Sequence, residues 1–164
     1  MPPDTESERI PRVLGNVVLM SAASLVAWIL TVLAGLVLLV IWLMEYDRDF
    51  QSAAATRLPV PLISTHALLG LGGLMAWGFY LVTDAEQLEW ATVADLGLAV
   101  TLGLVMAARW IGVYRAYAAP ESSLARVITV PPERHFPRPV IVIHGISAAA
   151  TVTLVLLTVF FSGS

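Results

Sequence analysis

The sequence predicts an all-α, polytopic membrane protein in which four transmembrane helices form a bundle of two tandem helical hairpins. Three observations carry this. Of 164 residues, 58% are hydrophobic and only 13% charged, and the mean hydropathy is +0.82, well outside the range of soluble domains. Three stretches, Val17–Met44, Leu58–Thr83 and Pro139–Ser164, contain no Asp, Glu, Lys or Arg, and each exceeds the roughly 20 residues a helix needs to cross the hydrocarbon core. The chain also repeats itself.

Taken in order, Met1–Arg12 reads as a short disordered lead, with two early prolines and mixed charge. The first apolar run is too long for the roughly 7–15-residue core of a cleavable signal peptide, so it is expected to remain as the first span. Leu58–Thr83 supplies the second. Trp90–Tyr114 is apolar apart from Asp95 and Arg109, and a consistent topology requires it as the third. Pro139–Ser164 is the fourth. The domain reading is therefore a tail over 1–12, a first hairpin over 13–84 and a second over 85–164.

The repeat is visible in two registers. Leu58-Pro59-Val60-Pro61, with His66 five residues on, returns as Phe136-Pro137-Arg138-Pro139 with His144 five residues on, 78 positions later. Gly35-Leu36-Val37 with Trp42 and Tyr46 returns as Gly103-Leu104-Val105 with Trp110 and Tyr114, 68 positions later. The difference of ten residues is an insertion in the second connection, where added length costs little. Copies containing an even number of spans keep the same orientation, so a pseudo-twofold axis is expected along the membrane normal. Equivalent residues then share a depth. Trp42, Tyr46, Trp110 and Tyr114 are expected to form one interfacial belt, and Trp77, Tyr80 and Trp90 the other. The prolines open the second and fourth helices, where the missing N–H is harmless, and both histidines enter the bilayer from one side.

Orientation follows from the arginines, the only basic residues besides histidine. Arg48 and Arg57 lie in the first connection, and Arg115, Arg126, Arg134 and Arg138 follow the third span; the opposite side has only Arg9 and Arg12. Both termini are therefore expected outside, with 45–57 and 115–138 cytoplasmic. Arginine without lysine, together with the Ala, Val and Leu bias, suggests a high-GC bacterial genome and hence a bacterial cytoplasmic membrane.

Composition also excludes function classes. The net charge of -3 with no basic block argues against nucleic acid, and zero Cys removes disulfides, thiolate metal sites, iron–sulfur clusters and covalent haem attachment. Too few residues lie outside the spans for a soluble catalytic domain, and hydrolase and phosphate-loop motifs are absent. No catalytic residue is assigned. Chemistry must reside among the helices, where an ionisable side chain is a functional hypothesis by default.

His66 and His144 are the foremost candidates. On opposite corners of a four-helix bundle their imidazoles could hold a planar macrocycle. Gly70, Gly73 and Trp77 continue the His66 face, while Gly145, Ser147, Ala148, Ala149, Ala150 and Thr151 follow His144, and such small residues leave room beside the rings. Two histidines do not complete a zinc or copper site, and the neighbouring spans offer no further ligand at that depth.

In its four spans and this single His pair, the chain resembles the bis-histidine b-type cytochromes of membranes. The resemblance implies one haem b with His66 and His144 as axial ligands to the iron. It also implies electron transfer, with a quinone or a larger membrane oxidoreductase as partner, and any enzymatic role would be as a component of such an oxidoreductase. Thr65 or Ser147 could receive the second ring nitrogen, and Arg57, Arg109, Arg134 and Arg138 could meet haem propionates. The alternatives are a cofactor-free accessory subunit, using its Gly and Ala faces for packing, and, third, a small transporter. Arg109 can equally snorkel to headgroups, Asp95 can be held by the dipole of the third helix, and His135 reads as a solvated loop residue or a shield for the cofactor edge.

Overall fold

The computed structural model describes residues 6–48, 56–118 and 130–162. It contains four long helices: α1 Glu6–Arg48, α2 Val60–Thr83, α3 Glu86–Ala118 and α4 Arg138–Ser162, with a short 3₁₀ turn over Pro132–His135. All four are long and apolar enough to cross a membrane, with spanning segments at Val18–Asp47, Val60–Thr83, Glu86–Ala116 and Arg138–Phe160. These agree with the four expected spans. The expected lead differs, because α1 is already helical from Glu6; extending a formed helix requires no new nucleus. Met1–Thr5 lie outside the described residues.

Helix boundaries follow local chemistry. Pro59 caps α2 and Pro61 sits in its first turn, where neither ring displaces a needed donor. The other end of α2 closes on Asp84, at φ 52° in the left-handed region, whose N–H donates to the Tyr80 carbonyl over 2.8 Å. An Asp tolerates that conformation better than most side chains. The reversal lets α3 begin at Glu86.

The packing order is α1–α4–α3–α2 and back to α1. The most extensive contacts are α1 with α4 and α2 with α3, while α1 with α2 and α3 with α4 touch less. Among the described residues, α2 and α4 stand on one diagonal. This pattern is compatible with a duplicated hairpin related by a twofold axis, because exchanging the two copies converts one close pair into the other.

Two clusters fill the ends of the bundle. Near the Asp84 turn are Trp28, Trp77, Tyr80, Leu96, Val155 and Val159, and near the two longer connections are Trp42, Leu58 and Ile63, with Leu39, Tyr46, Met106 and Phe136 against them. Trp42 and Trp77, expected in interfacial belts, are instead buried, 3% and 0% exposed. Lipid offers no hydrophobic drive for helices to associate, so large interior rings contribute through contact area and hydrogen bonds. The Trp77 indole N–H donates to Ser24 Oγ at 2.9 Å, and that of Trp28 to the Gly70 carbonyl at 3.0 Å. Trp90 remains exposed. Leucines, valines and phenylalanines such as Leu68, Val82 and Phe160 point outward, as lipid contact requires.

A polar clamp joins the two longer connections. Glu133 is fully buried; its Oε1 accepts the Arg57 backbone N–H at 2.6 Å and its Oε2 the Thr56 hydroxyl at 2.9 Å. Thr56 Oγ1 in turn accepts from the Trp42 indole and the Leu58 N–H. Arg109 donates to the Arg57 carbonyl, so both connections lie at one end of the bundle. Glu133→Ala removes the acceptor of two partly buried hydrogen bonds, from the Arg57 N–H and the Thr56 hydroxyl, and is expected to cost on the order of 1 to 2 kcal/mol. The thermal midpoint of unfolding in detergent should fall for Glu133→Ala and fall less for Glu133→Gln, whose amide oxygen still accepts one of them.

Candidate histidine site between the helices

Between the two clusters the helix faces carry small residues, and there the histidines meet. The His66 and His144 ring centres are 6.1 Å apart with their planes crossed at 74°. Each side chain is half-buried, and each reaches from a diagonal helix toward the other.

What orients the rings is backbone. His66 Nδ1 lies 3.0 Å from the Ala99 carbonyl of α3, and His144 Nδ1 lies 2.9 Å from the Thr31 carbonyl of α1. Each carbonyl belongs to the helix against which the histidine's own helix packs most extensively. A carbonyl only accepts, so both rings carry a proton on Nδ1 and donate it there, and Nε2 is the ring nitrogen left for another partner. The expected acceptors, Thr65 and Ser147, are not used. Ser147 Oγ donates to the Ile143 and His144 carbonyls on its own helix, the usual fate of a helical hydroxyl.

Glycines give the rings their room, one turn from those carbonyls. A Cβ on Gly35 would come within 3.1 Å of His144 Cε1, and one on Gly103 within 3.1 Å of His66 Cε1. Thr31 and Ala99, Gly35 and Gly103, and His66 and His144 thus make the same contacts twice, in the offsets seen in the sequence. The glycine pair had been visible there as a marker of the repeat, but its role depends on which helices are neighbours. Gly70 and Gly73 do share the inward face with His66, yet they receive α1: Gly70 takes the Trp28 indole, and Gly73 lies against Trp28 and the Asp95 carboxylate.

The cations gather at the clamp end. Arg138 and Arg134 stand 4.4 and 5.4 Å from the Tyr114 ring centre, an attractive arrangement, and Arg109 binds the Arg57 carbonyl. His135 Nδ1 is 3.8 Å from Glu45 Oε2, outside the bundle interior. Asp95 is not in the first turn of α3, as a dipole account requires; with α3 starting at Glu86 it lies about two and a half turns in, beyond the reach of that effect.

The 6.1 Å between ring centres leaves room for one metal ion that both rings would hold through bonds of about 2 Å. Among the described residues no group of three or more His, Cys, Asp or Glu converges, so protein side chains alone do not complete a tetrahedral set. A macrocyclic metal centre, which brings four nitrogens of its own, requires only two axial ligands. An apolar groove of 330 Å³ on the outside of α1 and α2, lined by Trp42, Ile63, Ser64 and Leu68 among others, lies apart from the imidazole pair.

Comparison with known protein families, curated proteins and solved structures yields no match. The site's own geometry therefore carries the reading. In haem-free protein, ¹⁵N spectra of labelled histidine should show His66 and His144 both protonated at Nδ1, two signals that vanish singly in the His66→Ala and His144→Ala variants. A ring without a proton on Nδ1 would contradict the carbonyl contacts.

Proposed function

We propose that this protein is an intramembrane b-type haem protein that carries electrons, with His66 and His144 as axial ligands. The observation that supports it most is the pair of imidazoles 6.1 Å apart, each tied back through Nδ1 to a carbonyl of a neighbouring helix. Two imidazoles held across a bundle diagonal suit a ligand pair.

When bound, haem supplies a reversible one-electron couple inside the bilayer. The protein's part is to hold it. The Ala99 and Thr31 carbonyls fix the tautomer and the ring angles and raise the basicity of Nε2. Gly35 and Gly103 let the rings lie close to α1 and α3, and the Trp28 and Trp42 layers exclude water on either side. Arg138 and Arg109, at the clamp end, are the cations on the histidine side that would meet propionates, on leaving the Tyr114 ring and the Arg57 carbonyl that they now contact. The electron partner on this reading is a quinone or a larger membrane oxidoreductase.

The arginine balance supports a topology with the clamp end in the cytoplasm of a bacterial cell and the Asp84 turn outside. Because the chain has no Cys, single substitutions report this directly. Glu86→Cys should react with a membrane-impermeant maleimide on intact spheroplasts, and Ser52→Cys only after permeabilisation. The reverse pattern would invert the topology.

The deciding experiment is a dithionite-reduced minus oxidised visible spectrum of detergent-purified protein. A sharp reduced α-band is expected for the wild type, abolished in His66→Ala and in His144→Ala with helical circular dichroism preserved. A flat wild-type spectrum after expression with ample haem would defeat the proposal and direct attention to a cofactor-free subunit of a larger complex.

A further inference from the structure

One ionisable group within a span is left unexplained by the histidine site. Asp95 of α3 is partly buried and lies against Gly73 of α2, and its Oδ2 is shielded from solvent without a hydrogen-bond partner among the described residues. It is one helical turn, about 6 Å of rise, from Ala99, the residue whose carbonyl holds His66.

Its surroundings offer no compensating cation. From the sequence, α1 carries no ionisable side chain between Arg12 and Glu45, α2 carries only His66 and the Tyr80 phenol before Asp84, and α4 carries only His144 after Arg138. On α3 itself, Glu86 and Glu89 are at the turn end and Arg109 lies nearly four turns toward the clamp. Glu133, Arg134 and His135 of the 3₁₀ turn also belong to the clamp end. The duplication does not account for Asp95 either, since its counterpart 68 positions earlier is Ala27. A lone carboxylate in such a setting is costly unless a positive charge appears nearby or a proton neutralises it.

We propose that Asp95 is a proton-exchanging site coupled to the electron held between His66 and His144. This rests on the haem reading. Asp95 would stay ionised beside the net positive charge that an oxidised haem would supply, and would take a proton when reduction removed that charge. The electron comes from a one-electron reductant, a membrane hydroquinone or dithionite in the test. The proton comes from the solvent, to which Asp95 is only partly closed, forming one O–H bond on Asp95. Oxidation reverses both. Each electron that enters the bundle is thus accompanied by a proton.

The test is a redox titration followed by the reduced α-band, at a series of pH values, for wild type and Asp95→Asn. The wild-type midpoint should fall with rising pH over part of the range, approaching about 59 mV per unit for one proton per electron, and the variant should be flat there. Reduced-minus-oxidised infrared spectra give an independent readout. A carboxylic C=O band should appear on reduction, shift with 4-¹³C-aspartate labelling of the wild type, and be missing in Asp95→Asn. If Asp95→Asn loses its haem, the labelled wild-type band decides alone. An α-band without a labelled carboxyl signal, or with the same pH slope in both proteins, overturns the assignment of Asp95 and leaves the haem reading standing. An absent α-band overturns both.

Discussion

In hydrocarbon a polar group must find its partner inside the protein, since no water is there to supply one. That constraint organises this molecule more than apolar burial does, because lipid contact already satisfies the outward leucines and valines. The interior hydrogen bonds run between helices: Trp28 to Gly70, Trp77 to Ser24, His66 to Ala99 and His144 to Thr31. Each fixes a rotation and a depth. Individually such bonds contribute only about 0.6 kcal/mol on average, so their effect is to select one arrangement among several of similar packing energy.

The two ends of the bundle solve the constraint differently. The Asp84 end is closed by Trp77, Tyr80 and Val159 above a tight turn. The other end is closed by charge, with the buried Glu133 carboxylate fastening the backbone of one connection to the other. The histidine layer sits between a rigid apolar plug and a polar clamp. That separation holds the imidazoles at a fixed spacing without either ring being packed tightly on all sides.

Much of this was legible in the sequence. The four spans followed from charge-free length, and the pairing of His66 with His144 from their equal distance behind the proline pairs. What was not legible depended on which helices become neighbours. Thr31 and Ala99 present only carbonyls, which every residue has, so no side-chain pattern could single them out, and the hydroxyls of Thr65 and Ser147 were the visible but wrong choice. Trp42 and Trp77 looked like interfacial anchors because the sequence gives depth along a helix but not rotation about it. Asp95 was placed by its expected distance from a helix start, and α3 begins earlier than the apolar run does. Glu133 lay in a polar connection, where nothing in the residue pattern distinguishes a buried carboxylate from a solvated one.

The way the close pairs are distributed has a consequence for the halves of the chain. His66 belongs to the first hairpin but is seated on α3 of the second, and His144 belongs to the second but is seated on α1 of the first. Neither hairpin contains the seat for its own imidazole. A lone hairpin inserted in a bilayer would present a ligand with no orienting carbonyl and a vacant glycine notch, and it could satisfy both only by meeting a second hairpin. The smallest unit in which this arrangement works is therefore a pair of hairpins, whether translated as one polypeptide or assembled from two.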